Sequence, residues 1–300
     1  MEMGFHSGER RAHKLAGVRM PDDFTAKMYR NHIPKAALGF LQKQNFVFVS
    51  SIDSSGRVWA SIIQGEPGFI DVVEEKTIVI SGIHNPEDPL VANIHENGHI
   101  GTLFMDFLDR RRLRVNGTAS YDKKRLIIHT EQVYGNCPKY ITTRRIETSK
   151  KKEPLAVSTL QNTSLLPSQA KWIEDSDTFF IASTNNQREV DASHRGGNPG
   201  FVKIIDDTHL LFPDYFGNNM FNTLGNIEVN PNVGLIFINF ENCKTLQISG
   251  RANIRWNEGA SDKFPGAERL LDVEIEKVIE TRNALSFTSE LLERSPFNPK

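Results

Sequence analysis

Apolar residues first recur at helical spacing. Phe24, Met28, Ile33, Ala37, Leu38 and Leu41 follow one another at intervals of up to five between Asp22 and Gln44, which predicts one or two amphipathic helices interrupted near Pro34. Past Gln44 the period shortens. Phe46-Val47-Phe48-Val49-Ser50 reads as a strand, Asp53-Ser54-Ser55-Gly56 as a turn and Arg57 to Ile63 as a returning strand, so the three form a hairpin. Further strands are expected at Thr77 to Ser81, Ile100 to Phe107 and Arg112 to Tyr121. A short helix from Pro89 to Glu96 between them stops at Asn97-Gly98.

The same pattern then returns. Ala60-Ser61, Gly65 and Pro67-Gly68-Phe69 reappear as Ala192-Ser193, Gly197 and Pro199-Gly200-Phe201, at a constant offset of 132. Asn93-Ile94, Gly101, Phe104, Phe107, Gly117 and Ala119 reappear as Asn226-Ile227, Gly234, Phe237, Phe240, Gly250 and Ala252, at an offset of 133. Glycines, prolines and phenylalanines in fixed order over such a length imply two copies of one β-rich domain. The period is too long for a solenoid.

Residues 1–45 are therefore expected as an N-terminal helical segment, 46–147 as the first copy, 148–166 as a linker and 167–300 as the second copy. The linker, TSKKKEPLAVSTLQNT and the few residues after it, combines a lysine run with a proline and shows little periodicity. Pro138 suits the first turn of a helix running to about Arg145, and Leu166-Pro167-Ser168-Gln169 opens another toward Ile173. Thr178 to Ser183 begins the second copy. Within it Leu210 to Phe212 reads as a strand, Asn219 to Val229 as a helix and Asp272 to Ile275 as a late strand.

Composition narrows the classes. The 300 residues are 24% charged and 38% hydrophobic with a net charge of -1, so no general attraction to nucleic acid or to an anionic membrane is expected. Two cysteines, Cys137 and Cys243, are too few for a disulfide scaffold and agree with a reducing compartment. No run is apolar enough to span a bilayer, and the charged N-terminus lacks a signal-peptide core, so a soluble cytoplasmic location is expected.

Candidate chemistry concentrates between Ala192 and Asn226. Arg195 offers a fork of donors for a phosphate, Ser193 and His194 add side-chain donors, and Gly196-Gly197 lets backbone N–H groups approach an anion. Gly217-Asn218-Asn219 and Thr223 supply more donors at the start of the expected helix, whose N-terminus favours an anion. Elsewhere His95-Glu96-Asn97-Gly98-His99 matches a zinc-hydrolase pattern, but that chemistry needs both histidines on one continuous helix and Asn97-Gly98 breaks it. The reading there is a helix C-terminus with two surface histidines and no metal. Cys137, ahead of Pro138, reads as a small packed residue, with a reactive thiol as the alternative. Neither a Rossmann glycine fingerprint, a P-loop, a G-x-S-x-G elbow nor paired C-x-x-C occurs.

The order FPDY, GNNMF, TLGNI, NPNVGLIF and QISGRA resembles the FMN-binding split-barrel family related to pyridoxamine 5'-phosphate oxidase. More narrowly, FHSGERRAHKLAGV, RVWASIIQGEPGF, YGNCPKYI and SHRGGNPGFV are similar to its tandem-barrel, flavin-nucleotide-binding subgroup. The resemblance implies a mainly β (α+β) fold: two tandem six-stranded antiparallel split β-barrels with flanking helices, related by a pseudo-twofold. It implies FMN as cofactor, with Ser193, His194, Arg195, Gly196 and Gly197 on one side of a strand and Asp214, Tyr215, Asn218, Asn219, Thr223 and Asn226 on the other holding phosphate and ribityl. Trp59, Lys139 and Tyr140 of the first copy are the candidates to cover the flavin, and His194 the one nearest the reacting atoms.

Departures from the family pattern qualify this. A basic Ser-Arg-Lys run is replaced here by Gly217-Asn218-Asn219, so phosphate charge must come from Arg195 and Lys139, and pyridoxamine phosphate oxidation is not carried over. The first copy has PEDPLVANI in place of GNNMF and TLGN, with Glu87 and Asp88 where an anion would sit, and reads as a degenerate partner. The expected function is an FMN-dependent oxidoreductase of unknown substrate and unassigned catalytic residues, taking electrons from a donor such as NAD(P)H. The alternative is a non-enzymatic flavin- or haem-binding protein. The halves are expected to form an intramolecular pseudo-dimer, which could pair again as a homodimer.

Overall fold

A strand that is apolar at every position must be covered on both faces, and Phe46-Val47-Phe48-Val49 is such a strand. In the computed structural model, which describes residues 4–21, 23–82, 85–148, 156–256 and 259–300, it forms β1 (Phe46–Ile52), buried throughout. Val47 and Val49 enter the core of the first half. Phe46 and Phe48 enter a second layer shared with the other half. Ahead of β1 lie α1 (Ser7–Leu15), α2 (Phe24–Met28) and, after a single 3-10 turn, α3 (Leu38–Gln42). Behind it come β2 (Val58–Gln64), β3 (Ile70–Glu74), β4 (Thr77–Ile80), α4 (Leu90–Asn97), β5 (His99–Asp106), β6 (Arg111–Asp122) and β7 (Arg125–Gly135). These strands pair antiparallel in the order β2-β1-β5-β6-β7-β4-β3.

Next along the chain are β8 (Thr143–Thr148), β9 (Ser158–Asn162), α5 (Pro167–Asp175), β10 (Thr178–Thr184), β11 (Val190–Gly196), β12 (Lys203–Asp206) and β13 (His209–Tyr215). They are followed by α6 (Asn222–Val229), β14 (Asn232–Asn239), β15 (Lys244–Arg255), α7 (Ala260–Lys263), β16 (Ala267–Arg282) and β17 (Phe287–Glu293). The second sheet, β11-β10-β14-β15-β16-β13-β12, repeats the first position for position, with β9 added against β16. The chain thus folds as expected into two tandem antiparallel split barrels, but with seven strands along each sheet where six were expected, β3 and its copy β12 extending the edge. β17 pairs with β8, tying the C-terminal region to the end of the first half.

Equivalent residues meet across the seam. Phe48 stacks on its copy Phe180 and Phe107 meets its copy Phe240 edge to face, so a pseudo-twofold axis passes between the members of each pair. Asn93 Nδ2 donates to Ser51 Oγ and Asn226 Nδ2 to Ser183 Oγ, both at 2.9 Å. Two glycines permit the approach of the halves. A Cβ on Gly101 would stand 2.6 Å from the Val190 carbonyl oxygen, and one on its copy Gly234 would stand 2.7 Å from that of Val58.

Two local expectations are corrected. No helix follows Pro138: Tyr140 takes a left-handed φ of 65°, which breaks a helix, and Thr143–Thr148 leave as β8 to meet β17. Helix α6 starts later than Asn219, because Asn219 and Phe221 both have positive φ and Phe221 caps the helix. Part of the expected linker is strand β9, its edge position supplied by the sixteen-residue β16; residues 149–155 lie outside the described residues. Gly98 ends α4 in the left-handed conformation and His99 opens β5, so His95 and His99 leave different elements. No group of metal-binding side chains occurs among the described residues. Nor, among them, is any helix long and apolar enough to cross a membrane.

Candidate functional site

Side chains two apart on a strand share a face. On β11 that places Asp191, Ser193 and Arg195 together; on β6 of the other half it places Arg112, Arg114 and Asn116 together. The seam brings these faces into contact. Arg114 is buried with its guanidinium 2.6 Å from Asp191 and donating to Ser193 Oγ at 2.6 Å. Asp191 also accepts from Asn116 at 3.1 Å and from the Tyr134 hydroxyl at 2.9 Å. Arg112 donates to the backbone carbonyls of Cys137 and Lys139 and to His194 Nδ1.

A second group comes from β13, the loop after it and β16. Asp214 lies between two arginines, 2.8 Å from Arg195 and 2.7 Å from Arg269. Beyond it Gly217, Asn218 and Asn219 curve past the guanidiniums toward Thr223 on α6. Lys139 sets its ammonium 4.3 Å from the Phe216 ring centre, and Tyr140 packs on Tyr215 while its hydroxyl donates to the Phe216 carbonyl.

Two adjoining cavities, of about 90 and 70 Å³, open among these side chains. Arg112, Arg114, Lys139, Arg195 and Arg269 face them, and the carboxylates paired with those cations are Asp191, Asp214 and Glu268. Two positive charges are left over. Arg112 shows the strain most clearly: burial, with Arg114 and Arg195 nearby, pulls its guanidinium down to about 10, and it has no carboxylate partner among the described residues. The Nε atoms of Arg112, Arg114 and Arg195 are buried without a hydrogen-bond partner, and unmet buried donors are costly. The donor set therefore fits a phosphate monoester dianion. Arg114 itself stays charged, since Asp191 and Tyr134 outweigh the cost of its burial.

His194 is held well below the usual imidazole range, first by burial and then by Arg112, Arg195 and Arg114. It is thus neutral. An arginine can only donate, so Nδ1 accepts from Arg112 and Nε2 carries the hydrogen, donated to Thr178 Oγ1 at 3.2 Å.

The pseudo-equivalent place in the first half is closed. Gln247 stands where Arg114 stands, and Ser61 where Ser193 stands. Asp88 fills the gap, accepting from Ser61 Oγ at 2.7 Å and from Gln247 Nε2 at 2.9 Å.

Of the residues singled out from sequence, Lys139, Tyr140, Ser193, His194, Arg195 and Gly196 line the first cavity. Asp214, Tyr215, Asn218, Asn219 and Thr223 line the second. Three do not line either. Trp59 is buried against Gly234, its Nε1 bonded to Asp53; Gly197 packs on Phe201; Asn226 faces a different cavity and bonds Ser183. Cys137 lines the first cavity, half-buried, its Sγ 4.0 Å from Arg112. Arg112, Arg114 and Arg269 were missed. The signal was present for two of them, since RRLRVNG in the first copy answers KTLQISG in the second, and the arginines alternate on one face.

A family model described as pyridoxamine 5'-phosphate oxidase matches residues 33–151 and again 165–293, once in each half. Among solved structures, HupZ from Group A Streptococcus is 14% identical, covering 37% of this chain and 90% of its own, with a TM-score of 0.30. An FMN-binding protein from Syntrophomonas wolfei is 11% identical over 38% of this chain and 84% of its own, TM-score 0.30. HutZ, described as a heme storage protein, from Vibrio cholerae is 14% identical over 38% and 91%, TM-score 0.29. No curated protein matches the chain.

Proposed function

As the chain belongs to the pyridoxamine 5'-phosphate oxidase family, we propose that it binds FMN at the arginine-lined cavities and serves as an oxidoreductase toward a small molecule, with an electron donor such as NAD(P)H. The observation that carries this reading is the surplus of two positive charges around cavities shared between the halves, which matches the charge of the flavin's phosphate. Bound flavin supplies hydride or single-electron transfer, so no side-chain acid–base pair is required. Arg112 and Arg195 hold the phosphate, with Arg114 behind them. Asn218, Asn219 and Thr223 offer polar groups to the ribityl hydroxyls. Tyr140, Tyr215 and Phe216 exclude water at the mouth, where a planar ring finds aromatic faces. His194, neutral and bonded at both ring nitrogens, orients Arg112. That arrangement also speaks against the haem alternative, since the imidazole in this cavity has no nitrogen to spare for iron.

Arg195→Ala is expected to weaken FMN binding by about 2–5 kcal/mol, the cost of truncating one partner of a desolvated charge pair. Titration followed by flavin fluorescence measures it, and an unchanged Kd would sink the assignment. Reductase chemistry is tested separately by adding NADH or NADPH anaerobically: bleaching of the yellow chromophore supports an oxidoreductase, an inert flavin supports a carrier, and a Soret band supports haem. Because Asp88 closes the first-half counterpart, the expected stoichiometry is a single FMN per chain, read from absorbance against protein concentration.

A further inference from the structure

A larger cavity, about 540 Å³, lies between α1, the β6–β7 pair, the turn before β11 and α6. Asp191 lines it and Arg114 does not, so the Arg114–Asp191 pair stands between it and the arginine cluster, while Asn222 lines both this cavity and the smaller arginine cavity. The volume falls within the roughly 300–1,000 Å³ of small-molecule sites. Its wall has the opposite sign. Among the described residues Glu9 and Glu189 line it together with Asp191, whose charge Arg114 offsets; Arg10 is the one arginine among them that does so, and its guanidinium is turned to the Phe5 carbonyl.

Two details bear on what it could hold. Asn116, 2% exposed, commits its Nδ2 to Asp191, while its Oδ1 is buried without a partner. A buried acceptor left unmet costs about 1–3 kcal/mol, so the wall has an opening for an N–H or O–H donor. Glu9, 4% exposed, is held there by several contacts. Its Oε2 accepts from the His6 backbone N–H at 2.9 Å, and its Oε1 accepts from Asn222 at 2.6 Å. Helix α1 can seat so close to α6 because Gly8 faces Gly225: a Cβ on Gly8 would come within 2.0 Å of the Gly225 carbonyl oxygen.

We propose that this cavity binds a small molecule bearing an ammonium or amidinium group, whose N–H donors are taken by Glu9 and the Asn116 amide oxygen. The reading is independent of the flavin assignment, because an acidic wall repels the phosphate that the arginines attract. Burial pushes Glu9 up to about 7 against the His6 and Asn222 hydrogen bonds, with Asp191 adding repulsion and Arg10 opposing it. The other groups facing it are the His6 ring, 3.7 Å away, and the Tyr29 hydroxyl, which shares Asn222. Glu9 is thus neutral below that range and anionic above it, so a cation should bind more tightly as pH rises.

The test is calorimetric titration of the full chain with benzamidine. Saturable binding is expected, about tenfold tighter at pH 8 than at pH 6, the ratio of ionised carboxylate for a group titrating near 7. Glu9→Gln keeps the shape and should lose tenfold or more of the affinity at the higher pH together with the pH dependence. Glu189→Gln, on a half-buried position, should weaken binding by a smaller factor and guards against a folding defect in the first variant. Absence of saturable binding at millimolar benzamidine, or unchanged affinity in both variants, overturns the proposal. Failure of the flavin reading appears in a different titration, as FMN and inorganic phosphate binding that Arg195→Ala does not weaken.

Discussion

Arg114→Met should lower the stability of the protein by about 3–5 kcal/mol, the range for removing one member of a buried ion pair. The guanidinium is 8% exposed and its carboxylate partner, Asp191, 6%. Removing the arginine strands that carboxylate among Asn116 and Tyr134, which supply hydrogen bonds but no charge. It also leaves Ser193 without its donor. The loss should be read by urea unfolding, as a fall in the midpoint with the slope unchanged. The companion Asp191→Asn and the double variant complete a cycle: contacting charges should couple by roughly 1–3 kcal/mol, so the double variant is less damaged than the sum of the singles. Strict additivity would mean that the pair does not join the halves energetically.

The second large effect belongs to the glycines on the pseudo-twofold seam. Gly234→Val and Gly101→Val should destabilise at or above the upper end of the roughly 1–3 kcal/mol of an overpacked core. The obstacle in each case is backbone and cannot turn aside: the new Cβ on Gly234 would meet the Val58 carbonyl oxygen, the Ala60 nitrogen and the Trp59 Cα all within 2.8 Å. Because β2 and β11 carry the Ala-Ser segments, pushing them away also displaces Ser193 and Arg195, so FMN binding should fall along with the melting temperature. Gly39→Ala in α3 is the control, with nothing within 4 Å of its added Cβ, and should be neutral or stabilising by up to about 1 kcal/mol. A Gly234 variant that melts with the control would show that the halves are not in close backbone contact.

Most of the fold was legible along the chain. Hairpins, the stop at Asn97-Gly98 and the tandem copy all rest on local period and on glycine, proline and phenylalanine spacing. Where the expectation failed, the reason lies outside the segment. The YGNCPKYI stretch satisfies the local rules for a helix start, yet Tyr140 packs on Tyr215 from the other half and the chain leaves extended to meet β17, some 140 residues later. The late start of α6 has a similar origin: Phe221 takes its left-handed turn with its ring 4.9 Å from the Arg269 guanidinium, a partner from β16.

The candidate site divides in the same way. Comparing the two copies isolates His194, Arg195 and Gly217-Asn218-Asn219, because these are what the second copy has and the first lacks. The same comparison, RRLRVNG against KTLQISG, marks Arg112 and Arg114 as belonging to one copy only; what it could not say is that they cross the seam to complete the cluster, since an arginine-rich strand is as readily a solvated edge. Trp59 illustrates the reverse, an aromatic in an apt motif that lies outside both cavities, buried with its indole nitrogen on Asp53. By itself the sequence determined most of the elements, the duplication and two of the five cations of the cluster, since periodicity and comparison of the copies need no knowledge of which segments touch. Only the tertiary structure decided which half faces which, that Asp88 closes one site while arginines open the other, and that an acidic cavity lies behind Asp191. Burial and charge pairing across a pseudo-twofold axis depend on neighbours that no stretch of chain contains.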